Sequence, residues 1–126
     1  MLKQQQTIKR EVSFSGTGIH TGHKVTMTWK PAPVDHGIKF VRTDLDAKTV
    51  IEPVIANVGD VTRWTTIGKD GAAIHTVEHV LATLTGYGID NVLIELNGNE
   101  PPIGDGSSLP YVKMVKEAGK IGRAHV

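Results

Sequence analysis

The chain has 126 residues, of which 39% are hydrophobic and 21% are charged, enough apolar material for one globular domain. Its formal net charge is +1, from 14 basic and 13 acidic residues spread along the chain, so composition gives no electrostatic case for nucleic-acid binding. There are no cysteines, which leaves His, Asp and Glu as the side chains that could bind zinc. The first residues, MLKQQQTIKREV, lack the apolar core of a signal peptide, and no apolar run approaches the roughly 18 residues of a membrane span. We therefore expect a cytoplasmic protein without a transmembrane segment.

The first half of the chain is typical of β-strands joined by turns. A strand is predicted over residues 7–14. Val25, Met27 and Trp29 alternate with polar residues, which predicts a half-buried strand that ends at Pro31. The turn-forming segment SGTGIHTGH separates these two runs and favours a β-hairpin. Further strands are predicted at 38–40, 50–58 and 61–67, with a turn at 69–71.

After residue 71 the period of the apolar residues changes. Residues 77, 80, 81 and 84 are apolar at the spacing of an amphipathic helix, which ends at Gly86 or Gly88. Residues 92–96 resume a period of two and predict a central strand. A second helix is predicted from Ser107 or Ser108, with Pro110 in its first turn, to about Gly119.

These elements predict an α+β fold, in which a sheet of about five strands has two helices packed on one face. The predicted domain covers residues 1–119. The remaining segment, KIGRAHV at 120–126, has no pattern and is interpreted as a tail, either a linker or a remnant of cloning.

The segment HTVEH at 75–79 matches H-x-x-E-H, a spacing used by one class of zinc peptidases. On a continuous helix His75 and His79 would share the face opposite the apolar stripe, with Glu78 on the flank. Ala82 and Gly86 lie beside them, and such a small, polar face indicates that something packs close or binds there. Two solvated histidines explain the same spacing, and a peptidase site would need a third ligand elsewhere.

Two loops carry further candidate residues. GTGIHTG at 16–22 lacks the last glycine of G-x-G-x-x-G, because Thr21 takes that position, so we interpret it as a hairpin loop from which His20 could reach a ligand. NEPPIGDGSS at 99–108 places Asp105 just before a helix, where a carboxylate ordinarily serves as a cap. Composition alone does not bring these residues together.

The motifs in combination resemble the N-terminal half of the UDP-3-O-acyl-N-acetylglucosamine deacetylases. G-x-G-x-H-T-G, T-V-E-H, G-I-D-N and D-G-S occur in the order of that family, and the similarity covers nearly all of residues 1–119. The family comprises zinc enzymes of lipid A biosynthesis in Gram-negative bacteria, part of lipopolysaccharide synthesis. It has two domains of similar fold, packed helices to helices around the active site.

The resemblance implies a role for four residues. Glu78 corresponds to the general base of the family, His79 to a zinc ligand, Asp105 to an aspartate that supports activity, and His20 to a histidine near the substrate cleft. His75 does not correspond to a ligand. The other two zinc ligands, a second catalytic histidine and most acyl-chain contacts belong to a C-terminal domain that is absent here.

From the resemblance we expect zinc as cofactor, UDP-3-O-acyl-N-acetylglucosamine as substrate and the C-terminal domain as partner. With one zinc ligand of its own, the chain alone is expected to be inactive. Two alternatives stay open at this stage. One is a fragment of a two-histidine zinc peptidase, and the other is a non-catalytic assembly domain that associates with itself through the exposed helix face.

Overall fold

The computed structural model describes residues 4–18, 22–53, 66–69, 71–103 and 108–124. Its elements are, in chain order, β1 (Gln4–Ile8), β2 (Val12–Thr17), β3 (Lys24–Pro31), β4 (Ile38–Arg42), β5 (Val50–Ile51), β6 (Thr66–Lys69), β7 (Ala72–His75), α1 (Glu78–Gly86), β8 (Val92–Leu96), α2 (Leu109–Ala118) and β9 (Lys120–Ala124).

The main sheet has five strands in the order β2-β3-β8-β4-β5. Strand β8 pairs antiparallel with β3 and parallel with β4, so the sheet is mixed. β8 is the middle strand, as the apolar run at 92–96 predicts. The α+β fold with a five-stranded sheet is confirmed.

The two faces of this sheet differ in polarity. Register places Met27 opposite Leu96 and Trp29 opposite Ile94, and all four side chains are fully buried. Buried residues of both helices belong to the same core: Val80 and Leu84 of α1, and Tyr111, Met114, Val115 and Ala118 of α2. The helices therefore cover the apolar face, as the sequence predicts.

The opposite face is polar and carries short cross-strand hydrogen bonds. The hydroxyl oxygens of Ser15 and Thr26 lie 2.7 Å apart, and Lys30 Nζ lies 3.2 Å from a carboxylate oxygen of Glu95. Side chains of this kind need no apolar cover, so one helical layer is sufficient for the sheet.

The first predicted strand, at 7–14, is two strands in the structure. β1 pairs with β9, whereas β2 pairs with β3 and forms the expected antiparallel pair of the hairpin. The chain changes partner at Lys9, whose N–H donates to the carbonyl oxygen of Gly119 at 3.0 Å. Change of partner leaves no trace in a local apolar pattern, which explains why the sequence suggested a single strand.

Strand β9 lies in the segment interpreted as a patternless tail. It pairs with β1 from Gln4 opposite Ala124 to Ile8 opposite Lys120. The sequence KIGRA lacks alternation, and the strand is stabilised by its partner. The domain boundary after residue 119 stays a prediction.

Other predicted strands are described only at their ends. Of the predicted strand at 50–58, residues 50 and 51 form β5, residues 52 and 53 are not in a strand, and the rest lies outside the described residues. Of the predicted strand at 61–67, only residues 66 and 67 are described, and they belong to β6. Neither described helix is long and apolar enough to cross a membrane.

Thr7 joins β1 to the core through one buried hydroxyl group. Its Oγ1 donates to the carbonyl oxygen of Asn91 at 2.6 Å and accepts from the N–H of Ala32 at 3.1 Å. Thr7→Val keeps the shape but removes this partner from two backbone groups, so we expect the free energy of unfolding in urea to fall by about 1–3 kcal/mol. Thr28→Val, on the polar face, is the matched control and should change it by less than about 0.5 kcal/mol. Equal effects of the two changes would contradict the role given to Thr7.

Candidate functional site

The segment that contains HTVEH changes from strand to helix in its middle. His75 ends β7, which pairs with β6, and its N–H donates to the carbonyl oxygen of Asn99 at 2.7 Å. Helix α1 begins at Glu78. The prediction that His75 and His79 share one helix face is therefore wrong, because strand pairing takes His75 out of the helix.

Thr76 makes the turn between β7 and α1 with a φ of 60°. This left-handed conformation is disfavoured for a β-branched residue, and such strain persists only where surrounding contacts hold it. The next residue, Val77, is fully buried and is the N-cap of the helix. The conformation of Thr76 thus determines the direction in which α1 leaves the sheet.

Glu78 and His79 lie in the first turn of α1 with different environments. Glu78 is half-buried, at the end of the helix where the dipole favours a negative charge. His79 is exposed, and its Nδ1 lies 3.4 Å from the hydroxyl oxygen of Ser108, just before α2. A histidine that uses Nδ1 in this way has Nε2 available for a ligand. The predicted apolar stripe is confirmed by the burial of Val80 and Leu84.

Glu100 is a buried carboxyl group that no motif in the sequence marks. Its side chain is 1% exposed, and Thr76 Oγ1 donates to its Oε2 at 3.4 Å. In the sequence it stands between Asn99 and Pro101, where a glutamate is typical of a solvated loop. Nothing local in NEPP signals burial, since burial depends on how the whole loop crosses the fold.

Tyr111 of α2 was also missed, because a tyrosine at an apolar helix position is ordinarily core. Its hydroxyl donates to the carbonyl oxygen of Pro102 at 2.8 Å. Burial, followed by the negative charges of Glu78 and Glu100, raises the pKa of Tyr111 to about 12. The Tyr111 hydroxyl also joins α2 to the loop that carries Glu100, because Pro102 follows Glu100 by two residues.

His20 and Asp105 lie outside the described residues, so their placement stays a prediction. The segments that lead to them are joined in the structure. Ile103 and Thr17 form an antiparallel bridge, in which the N–H of Ile103 donates to the carbonyl oxygen of Thr17 at 3.0 Å.

The segment RTD, also part of the resemblance, ties β4 to β7. Arg42 Nε donates to Asp44 Oδ1 at 3.0 Å, and Arg42 Nη1 donates to the carbonyl oxygen of Ala73 at 3.2 Å. The hydrogen bond from Arg42 holds the pKa of Asp44 below its usual range. This contact fixes the strand that leads to Thr76.

Within the described ranges, no group of three or more His, Asp or Glu side chains is arranged to hold a metal ion. The chemistry of His79, exposed and with Glu78 next to it, suits one metal ligand beside a proton acceptor.

A family model described as UDP-3-O-acyl N-acetylglycosamine deacetylase (LpxC) matches residues 5–125. The chain belongs to this family. It is 51% identical over 119 residues to a bifunctional enzyme LpxC/FabZ of Chlorobaculum tepidum, covering 94% of this chain and 26% of the relative. It is 48% identical over 116 residues to a UDP-3-O-acyl-N-acetylglucosamine deacetylase of Saccharophagus degradans, covering 92% of this chain and 38% of the relative. For the same enzyme of Syntrophus aciditrophicus, identity is 49% over 115 residues, covering 91% of this chain and 36% of the relative.

The chain therefore spans between about a quarter and two fifths of the length of these relatives. The resemblance to the LpxC family is confirmed, and it includes β9, which the motifs did not cover. The two-histidine peptidase hypothesis has lost its basis, because His75 is in a strand.

The pKa of Tyr111 gives a prediction for alkaline pH. In a Tyr87→Phe variant Tyr111 is the one remaining tyrosine. When this variant is titrated with alkali, we expect the absorbance of tyrosinate to rise with a midpoint near pH 12, rather than near the ordinary pKa of 10.0. The folded state holds the phenolic proton more tightly than the unfolded state. The contribution of Tyr111 to the free energy of unfolding is therefore complete below about pH 10 and is lost as the pH rises towards about 12. A midpoint near the ordinary value in the folded chain would contradict the burial of Tyr111 as the main cause of the raised pKa.

Proposed function

We propose that the chain is the N-terminal half of a zinc-dependent amidohydrolase that removes the N-acetyl group from UDP-3-O-acyl-N-acetylglucosamine. The observation that carries the proposal is the family match over residues 5–125, with a half-buried Glu78 and an exposed His79 together at the start of α1. The parent enzyme would act in lipid A biosynthesis of a Gram-negative bacterium, in the cytoplasm.

In the proposed reaction Glu78 is the general base. Zinc, when bound, supplies Lewis acidity towards the amide carbonyl and water. Glu78 accepts a proton from the attacking water, whose oxygen forms a bond to the acetyl carbon. The C–N bond then breaks, the sugar nitrogen receives the proton that was taken from the water, and the products are acetate and the free amine. Glu78 is the first residue of α1, so the helix fixes where its carboxylate stands.

The remaining predicted residues act around this pair. His79 would hold the metal through Nε2, with Ser108 orienting its ring. Asp105 is proposed to support the active site and His20 to contact the substrate. These two assignments rest on the motifs D-G-S and G-x-G-x-H-T-G.

One metal ligand does not make a catalytic zinc site, which typically has three protein ligands and one open position. We propose that a second domain supplies a His and an Asp as the other two ligands. The surface of α1 supports this arrangement, because His79, Ala82 and Gly86 are all exposed and small groups allow another domain to approach closely. The isolated chain would then be inactive.

Zinc titration of the isolated chain tests this incompleteness. By isothermal titration calorimetry we expect no tight one-to-one zinc binding, and by product analysis no deacetylation, because the chain supplies one ligand. Tight stoichiometric binding, or turnover by the chain alone, would contradict the proposal.

A chimera tests the activity itself. Here the chain replaces the matched segment of the Saccharophagus degradans deacetylase, and we expect the chimera to release acetate. Glu78→Gln should lower kcat by about 10²–10⁴-fold, because it removes the general base, and His79→Ala should abolish activity by removing a ligand. His75→Ala is the matched control. His75 is four residues before His79 but belongs to strand β7, so its loss should change kcat little. An inactive parent chimera, or an equally severe effect of His75→Ala, would count against the proposed function.

A further inference from the structure

Glu100 lies where three segments of the candidate site meet, and the proposed reaction gives it no role. Its side chain is 1% exposed, so it is not a solvated surface charge. Burial of a carboxyl group is unfavourable unless its surroundings compensate for the loss of water. The contacts of Glu100 show what this side chain holds in place.

One contact is with the backbone of Gly18. A Cβ atom built on Gly18 would overlap Glu100 Oε1 and would lie 2.7 Å from Cγ and 2.8 Å from Cδ. The carboxyl group therefore occupies the space that any other residue at position 18 would need. Gly18 is the third residue of GTGIHTG and stands two residues before His20.

The second contact is with Thr76, whose Oγ1 donates to Glu100 Oε2 at 3.4 Å. Thr76 has a φ of 60°, which is unfavourable for its β-branched side chain. A hydrogen bond from the hydroxyl group to a buried acceptor favours this conformation over the extended one that β7 would otherwise continue. Two residues later α1 begins with Glu78.

A third contact joins α2 to the loop that carries Glu100. The Tyr111 hydroxyl donates to the carbonyl oxygen of Pro102, two residues after Glu100, at 2.8 Å. The loop that carries Glu100 is thereby fixed to α2.

We propose that Glu100 is a positioning residue. Its carboxyl group holds Thr76 in the left-handed conformation and so determines how α1 presents Glu78 and His79, and the same side chain fixes the backbone at Gly18. The assignment deepens the proposed function, because the groups it positions are the proposed base and metal ligand. The link between Glu100 and Thr76 can be tested apart from any reaction.

The first test uses the 126-residue chain and NMR spectroscopy. In Glu100→Ala we expect residue 76 to lose the couplings and carbon shifts of a positive φ, and the amide signals of residues 78 and 79 to shift. Thr76→Val, which replaces the hydroxyl group with a methyl group and keeps the branched shape, should do the same and covers the case in which Glu100→Ala does not fold. Thr76→Ser keeps the hydroxyl group and should restore the wild-type signals. Glu95→Ala removes a carboxylate on the polar face and is the matched control.

A folded Glu100→Ala or Thr76→Val chain with a positive φ at residue 76 and unshifted signals at 78 and 79 would overturn the proposal. So would a Glu95→Ala chain that shifts these signals equally. A general loss of packing predicts shifts spread over the fold, whereas positioning predicts shifts concentrated at the start of α1 and at Gly18.

The second test uses the chimera. If its parent form is active, Thr76→Val should lower kcat at least about tenfold while KM changes less than about threefold, because the base and ligand are displaced but the substrate surface is kept. Thr76→Ser should recover most of the loss, and Glu95→Ala should leave kcat within about twofold. Unchanged kcat in folded Thr76→Val would overturn the positioning role. An inactive parent chimera instead refutes the proposed function, and the NMR test then still decides the link between Glu100 and Thr76.

Discussion

The structure depends on a sheet that is apolar on one face only. Met27, Trp29 and Ile94 must be covered, and the two helices form this core together with buried residues of β6 and β7. On the other face the hydroxyl groups of Ser15 and Thr26 hydrogen-bond to each other, so that face needs no second layer. Covering one face leaves each helix with an outer surface. On α1 this surface carries His79, so the requirement to bury the sheet is also what places the candidate metal ligand on the outside.

The position of α1 within the helical layer depends on the residues that connect it to β7. α1 starts after a left-handed turn at Thr76, whose hydroxyl group donates to the buried Glu100. On the strand side, Arg42 holds β7 through the carbonyl oxygen of Ala73. The strained residue and the buried carboxyl group are both unfavourable in isolation. Both lie next to the first turn of α1, which carries the candidate site residues. Strained residues of this kind are often found at functional sites.

The sequence predicts what is local and misses what depends on distant partners. The alternation of apolar and polar residues at 25–29 and the apolar stripe at 77–84 are local patterns. They were therefore sufficient to predict β3 and most of α1. β9 has no pattern of its own and exists through pairing with β1. β7 was not predicted, because the H-x-x-E-H spacing suggested a helix that includes His75. In the site, T-V-E-H marked Glu78 and His79 by resemblance, whereas the importance of Glu100 becomes visible only through its burial.

The separation of His75 from His79 changes the chemistry that the segment can support. Two histidines on one helix face would form half of a metal site within a single element, and such a site could bind a metal before any second domain arrives. With His75 in a strand, α1 offers one imidazole and one carboxylate at its exposed end. A site of this kind requires ligands from another surface, so metal binding and the approach of that surface become coupled events. In a two-domain deacetylase the metal would then help to hold the domains together, and the proposed base Glu78 would work only after they meet.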